Sequence, residues 1–362
     1  MKIKLLDAYI VRKFLGTFFF ALGLIILIAI VFDISEKIDD FMEKEAPINE
    51  IIFNYYLNFI PYFGNLFSPL FIFISVIFFT SRMAANTEIV AILASGISFR
   101  RFLAPYLVGA TVLALISLYL NNSVLPHSNI TRTKFELKYI KNPYIYKNRH
   151  VHRQISPGQY VYFESYNNFE NIGYQFSYEK FENGKLTYKL LSDRIFWDST
   201  KTRWTVENYF TRRINGMNEE IKSGYRFDTT FVFTPADFNR RVSYAVETMD
   251  YTELNKFITA ERMRGSEEVV FYEIEKYKRF SYPFATFILT LIGVALSSRK
   301  VRGGIGVQIG LGILLSFTYI LFMQVSTTFA TNGNVPALIA VWIPNMVFAV
   351  IAIWLVRKRI AD

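Results

Sequence analysis

His150 and His152 alternate along one strand-like stretch, so both imidazoles could face a single metal ion; the third histidine, His127, lies well before them. A zinc site needs three or four nitrogen, sulfur or oxygen ligands, and the chain has no cysteine to help complete one. Surface or sheet histidines, with no resident metal, are the expectation. Asn183-Gly184-Lys185-Leu186 holds a Gly-Lys pair without the G-x-x-x-x-G-K-[ST] frame whose amides cradle phosphates. No G-x-S-x-G nucleophile elbow occurs either. These observations argue against catalysis by this chain and against a cofactor bound to it.

The sharpest local signal is Asn86-Thr87-Glu88, followed by Ile89-Val90-Ala91-Ile92-Leu93-Ala94-Ser95-Gly96. A side-chain acceptor at Asn86 or Thr87, an acid in the first turn and a glycine stop describe a capped helix over 86–96. So short a helix is marginal unless it docks on something. Its apolar residues cover much of its circumference, which fits either a helix lying among lipid headgroups or one that docks on a partner protein.

The elements around it are membrane spans. Apolar runs cover 14–32, 59–79, 102–120, 282–296, 305–329 and 336–356. Each approaches or exceeds the roughly 20 helical residues that cross a hydrocarbon core about 30 Å thick. With 52% hydrophobic residues, 36 phenylalanines and 19% charge, the composition is that of a membrane protein. The first run is too long for a signal-peptide core and no small-x-small site follows, so it reads as an uncleaved anchor. Basic residues gather at Lys2, Lys4, Arg12 and Lys13, at Arg82, Arg100 and Arg101, at Arg299, Lys300 and Arg302, and at Arg357, Lys358 and Arg359. Those segments should face the cytoplasm, both termini among them. The alternate segment 33–56 has two lysines against seven acids, a net of −5. The total of +10 therefore reflects membrane topology, and nucleic acid is not an expected partner.

The expected organisation is three spans with the short helix in 1–122, a polar insert over 123–250 outside the cytoplasm, a charged helical connector over 251–281, and three more spans in 282–362. Within the insert, alternating apolar positions such as Tyr160 and Tyr162, Tyr174 and Phe176, Leu186 and Tyr188, Trp204 and Val206, and Phe231 and Phe233 predict half-buried strands. Asn183-Gly184 supplies a hairpin turn. An antiparallel sandwich or jelly roll follows, with a twisted sheet lying on the membrane as the other reading. Tyr282-Pro283 is read as the start of the fourth span, where a proline costs no hydrogen bond. Gly306-x-x-x-Gly310 in the fifth span permits close helix contact.

The run from Glu88 to Ala94-Ser95-Gly96, with Leu6-Asp7-Ala8-Tyr9-Ile10 near the start and Trp342-Ile343-Pro344-Asn345 near the end, resembles the lipopolysaccharide-export permease family, LptF/LptG. The likeness in layout covers essentially the whole chain, and the opening Leu-Asp-x-Tyr-Ile leans towards the LptG-like branch. It implies an α+β membrane protein of six transmembrane helices, with a periplasmic antiparallel β-jellyroll between helices 3 and 4. The chain would be an ABC transporter subunit in the bacterial inner membrane. Its implied partners are a cytoplasmic ABC ATPase dimer holding ATP and magnesium, a second six-span permease subunit that is a paralogue or a copy, and a periplasmic β-jellyroll bridge protein. The implied cargo is lipopolysaccharide or a related glycolipid.

Under this resemblance Glu88, Ile89, Ile92, Leu93, Ser95 and Gly96 couple to the ATPase. Extraction of a lipid with many acyl chains asks for an apolar cavity, which the Phe-rich first and second spans could line, with Pro61, Asn65 and Pro69 breaking regularity. LptG-type members place several lysines where the first span leaves the membrane. Lys37 sits there, among Glu36, Asp39 and Asp40, while Lys276, Lys278 and Arg279 either add to a headgroup site or pair with Glu273 and Glu275 in solvent. The first and fifth spans would form a lateral gate at Gly306 and Gly310, unless those glycines serve ordinary packing. Two further readings stand beside this one: a membrane-anchored periplasmic binding or scaffold protein, and a permease of the same architecture for another lipid.

Overall fold

The computed structural model describes residues 4–140, 149–238, 246–266, 268–300, 304–333 and 335–361; Lys2 and Arg302, used in the charge reading, lie outside them. The chain divides into two compact units. One comprises Met1–Lys141, Glu247–Tyr251 and Val270–Asp362, the other Asn142–Val246 and Thr252–Val269.

Six helices of the first unit are long and apolar enough to cross a membrane: α1 (Leu5–Glu43), α2 (Ile48–Ala85), α4 (Phe99–Tyr139), α6 (Val269–Ser297), α7 (Gly304–Asn332) and α8 (Ala337–Ala361). The short α3 (Glu88–Ala94) joins α2 to α4, and α5 (Tyr251–Met263) precedes α6. Buried shares separate the helices by role. In its most apolar window α6 is 56% buried, whereas α1 is 17% and α7 22% buried. Those two helices present long apolar faces away from the rest of the chain.

α1 meets the bundle through a narrow stripe at helical spacing, Ile10, Phe14 and Phe18. Phe14 lies against Gly109 of α4, where a Cβ would sit 2.5 Å from the ring. α2 packs on both halves. Ile72, Val76 and Phe79 belong to the core shared with α1 and α4, and Phe73 and Ile77 to that of α6, α7 and α8. Gly312 of α7 lets Ile77 approach, since a Cβ there would lie 2.4 Å away. Gly306 and Gly310 do not do this job: a Cβ on either meets nothing within 4 Å. The close helix contact expected of that pair is made two residues on, at Gly312 on the opposite side of α7, because the face carrying Gly306 and Gly310 points out of the chain.

The helices outrun their apolar cores. A 39-residue α1 is about 58 Å long, and its charged end carries Phe41 into an aromatic cluster with Tyr55, Phe59, Phe135 and Tyr139. π-helical turns at Ile51–Tyr56 and Leu120–Val124 interrupt α2 and α4 at this end. The connector also differs from expectation. It is split at Gly265, whose φ is +68°, and α6 starts at Val269, leaving Pro283 inside the helix. Charged residues 273–279 continue the helix because Tyr272 and Ile274 are buried, Ile274 against Ala330, Ala337 and Val341 of α7 and α8.

In the second unit β1 (Arg149–Ser156), β2 (Gln159–Asn167), β3 (Ile172–Glu182), β4 (Lys185–Asp198), β5 (Arg203–Asn215) and β6 (Asn218–Thr229) form one antiparallel sheet in sequence order. This is the antiparallel insert expected of a jelly-roll-type domain, with all its described strands in one sheet. Asn183 and Gly184 both have positive φ, 49° and 75°, as the tight turn between β3 and β4 demands. One face buries Val161, Phe163, Phe176, Leu190, Ile195, Trp204 and Val206. Phe231 and Phe233, read as a strand, are not one. They lie in irregular chain that covers this face, where the Trp204 indole donates to the Phe233 carbonyl at 2.9 Å. β6, nearly all exposed, alternates only weakly, at Ile221, Tyr225 and Phe227, and is a further strand beyond those expected.

Overpacking a tight helix crossing costs about 1–3 kcal/mol. Gly312→Leu is expected to lower the melting temperature of the detergent-solubilised chain, and Gly310→Leu to leave it unchanged. Equal melting temperatures for the two variants would contradict the assignment of the crossing to Gly312.

Candidate functional site

The turn between α2 and α3 sets the position of Glu88. Thr87 adopts φ +61°, and no side chain caps the helix, so the cap expected from Asn86 or Thr87 is not made. The left-handed turn aims the Thr87 hydroxyl back at the Asn86 carbonyl, 2.6 Å away. Asn86 instead donates its amide to Glu88 Oε1 at 3.2 Å. At the other end Gly96, φ +86°, donates its N–H to the Leu93 carbonyl at 3.1 Å, the glycine stop that the sequence indicated. Ser98 then caps α4 by accepting from the Arg101 N–H.

α3 is docked on its own chain. Ile89 is buried, and Ile92 and Leu93 pack on the core formed by Ile10, Met83, Ala84, Phe99 and Phe102. That burial resolves the marginal stability of a seven-residue helix. It also sorts the coupling candidates: Ile89 faces inward, Ile92 and Leu93 are half-buried, and Ser95 and Gly96 are exposed. The outward face is Val90, Ala91, Ala94 and Ser95, with Val90 65% exposed.

Two sequence motifs far apart in the chain meet here. The Tyr9 hydroxyl donates to Glu88 Oε2 at 3.3 Å, and Ile10 shares the core of Ile89. Asp7 receives two parallel bonds from the Arg101 guanidinium, at 2.8 and 2.6 Å, the fork geometry that fixes orientation as well as distance. Leu6-Asp7-x-Tyr9-Ile10 is thus the seat on which the Glu88 helix rests. The third motif lies elsewhere in the unit. Asn345 accepts from the Tyr319 hydroxyl at 2.9 Å and donates to the Ser281 carbonyl at 3.0 Å, joining α6, α7 and α8 through one buried amide.

Further along α1, a cavity of about 270 Å³ lies between α1, α2 and α4, walled by Phe18, Leu22, Pro61, Gly64, Leu113 and Ile116. Its polar lining is concentrated at Asn65 and Ser117, which bond each other at 3.1 Å and both reach Asn121. Pro61 and Pro69 bracket this part of α2, and each removes a backbone donor from the helix.

Beyond the cavity the basic residues are engaged. Lys37 bonds Asp33 and the Tyr55 hydroxyl, and Asp33 also accepts from the Tyr56 hydroxyl at 3.1 Å. Lys278 pairs with Glu275 at 2.9 Å. Lys276 lies over the rings of Tyr251 and Tyr277, and Arg279 is buried, donating to the Met249 carbonyl at 2.9 Å. Solvation therefore describes Arg279 poorly. Sequence reasoning passed over Arg132, a buried cation 3.6 Å from both Glu136 and Glu247 and 3.9 Å from the Tyr62 ring centroid. Its i,i+4 spacing to Glu136 was the available signal, hidden because the third apolar run ends at Leu120 and the residues after it were read as part of the polar insert.

His150 bonds the Tyr162 hydroxyl at 2.9 Å and His152 packs against the same ring at a tilt of 43°, while His127 faces the Ser123 carbonyl. Among the described residues no three His, Cys, Asp or Glu side chains gather to hold a metal.

The family model for the lipopolysaccharide export system permease LptF/LptG matches residues 8–358. A comparison with individual curated proteins gives no match. The match takes in both helical groups, the sheet between them, the Glu88 and Trp342 motifs and the first motif from Ala8 onward, and the chain belongs to the LptF/LptG family of lipopolysaccharide export permeases.

Proposed function

We propose that this chain is one of two six-span subunits of an ATP-driven permease that lifts lipopolysaccharide from the outer leaflet of the inner membrane and passes it to a periplasmic β-jellyroll bridge. A separate cytoplasmic ATPase dimer binds ATP and magnesium and docks on α3. The second subunit, paralogue or copy, covers the apolar face of α7 and that of α1 beyond Phe20, where Leu24, Leu27 and Val31 are exposed. Gly306 and Gly310, which meet nothing within the chain, offer it a close approach at the lateral gate.

The observation that carries this reading is the meeting of α3 with the start of α1. A push on Val90, Ala91 and Ala94 passes through Ile89 into the core, and through Glu88 and Tyr9 into α1. α1 in turn walls the 270 Å³ cavity with Phe18 and Leu22, so movement at the cytoplasmic end changes the space available to acyl chains. For a phosphorylated headgroup to use Lys37, it must displace Asp33 from that ammonium. Lys276, Lys278 and Arg279 stand as the other headgroup candidates of this proposal.

Two substitutions test it. Ala91→Arg places a long cation in the middle of the proposed ATPase contact without touching the core. Disrupting an interface centre costs about 2 kcal/mol or more, about thirtyfold in affinity. Loss of the ATPase from the purified complex, at an unchanged melting temperature, is the expected result; full ATPase recovery would remove α3 from the interface.

Glu88→Lys deletes two exposed hydrogen bonds, from Tyr9 and Asn86, each worth about 1 kcal/mol or less, and reverses the charge presented to the partner. In proteoliposomes it is expected to abolish lipopolysaccharide release while the protein stays folded. Normal release by this variant would show that Glu88 plays no part in coupling.

A further inference from the structure

A second concavity lies on the outer side of α1, near its N-terminal end. It has a volume of about 760 Å³ and is lined by Tyr9, Arg12, Lys13, Gly16, Phe20 and Phe78 among others. Its chemistry is divided along the helix. The end nearest the start of α1 carries two cations and a phenol, and the deeper end carries two exposed aromatic rings separated from the cations by a glycine.

The cations are not spent on carboxylates. Among the described residues the Arg12 guanidinium has no hydrogen bond or ion pair, and the Lys13 ammonium lies only over the Tyr9 ring, 5.9 Å from its centroid. Asp7 at the same end is already held by Arg101, and Glu88 by Tyr9 and Asn86. Gly16 makes the hollow: a Cβ there meets nothing within 4 Å, so the space beside it is open rather than packed.

We propose that this groove binds an anionic glycerophospholipid, with the phosphate between Arg12 and Lys13 and the acyl chains along Gly16, Phe20 and Phe78. Basic pockets beside transmembrane helices on the cytoplasmic side recognise anionic headgroups by this combination of charge and adjoining apolar surface. With the start of α1 on the cytoplasmic side, as the permease reading has it, the site opens to the inner leaflet. Its occupant is then a bilayer lipid, separate from cargo taken from the outer leaflet. Tyr9 lines the groove and donates to Glu88, so the lipid sits one side chain away from α3.

The test titrates the full detergent-solubilised chain with phosphatidylglycerol and counts bound lipid by native mass spectrometry, with phosphatidylcholine of the same acyl chains and inorganic phosphate as competitors. Phosphatidylglycerol is expected to bind and neither competitor to displace it. A basic side chain near an anionic lipid surface contributes about 1 kcal/mol, so Arg12→Gln with Lys13→Gln should weaken binding about thirtyfold. Gly16→Leu should also weaken it with both charges intact, because it fills the hollow. Arg357→Gln with Lys358→Gln, which removes the same charge at the end of α8, should leave it unchanged.

Equal losses from the two double substitutions, or full binding by Gly16→Leu, would mean diffuse electrostatic attraction and overturn the site. Displacement by inorganic phosphate would overturn the lipid assignment. The assay contains no ATPase and no lipopolysaccharide, so its failure leaves the permease reading where it stood.

Discussion

The seating of α1 on α3 and α4 is the interaction on which the first unit depends. α1 is the least buried of the six spanning helices in its apolar window, and in lipid the usual hydrophobic drive to pack such a helix is absent, because acyl chains are as apolar as leucine. What remains is close packing and polar fastening. Ile10, Phe14 and Phe18 supply the packing, and the two parallel Asp7–Arg101 bonds with the Tyr9–Glu88 bond supply the fastening. The Asp7–Arg101 pair is part-exposed, where such pairs are worth about 1 kcal/mol or less. Its value lies more in register than in stability, since a forked guanidinium holds α1 at one height and one rotation.

That arrangement makes α3 rigid with respect to α1 and α4 although it is only seven residues long. Removing a buried isoleucine side chain costs about 2–5 kcal/mol, comparable with the whole stability of a marginal isolated helix. Ile89 therefore does two things at once: it makes the helix exist and makes it part of the bundle. A force on the outward face is delivered to the helix ends at Tyr9 and Arg101 rather than absorbed in a loose loop. The proposed route from ATPase to lipid cavity needs that property before it needs any particular partner residue.

The sequence showed where the chain crosses lipid, because hydrocarbon imposes runs of apolar residues that stand out against any background. It did not show where the helices end. Beyond the lipid they continue on tertiary packing, as at Phe41, Phe135 and Tyr139, and charge gave no warning of that. Pro283 misled for the same reason, since α6 had begun earlier on the buried positions Tyr272 and Ile274. In the sheet, alternation marked the strands with a buried face. It was weak for β6, exposed along nearly its whole length, and false for Phe231 and Phe233, which bury themselves without strand geometry. In the site, residue types located α3 but did not sort its sides, because a helix apolar almost all round gives no phase from which to read inward and outward.

The small outward residues of α3 set a requirement on whatever docks there. Val90, Ala91, Ala94 and Ser95 offer a low ridge with little reach and, Glu88 apart, no charge along the helix. Such a ridge gains contact only from a concave surface that closes around it, since dispersion is lost as soon as a gap of an ångström opens. Specific orientation must then come from the ends, where Glu88 and the Ser95-Gly96 turn carry the polar groups. Fit along the ridge and polar recognition at its ends are separable demands. A helix built this way suits a partner that grips it as a rigid body and moves it, which is what mechanical coupling across the membrane requires.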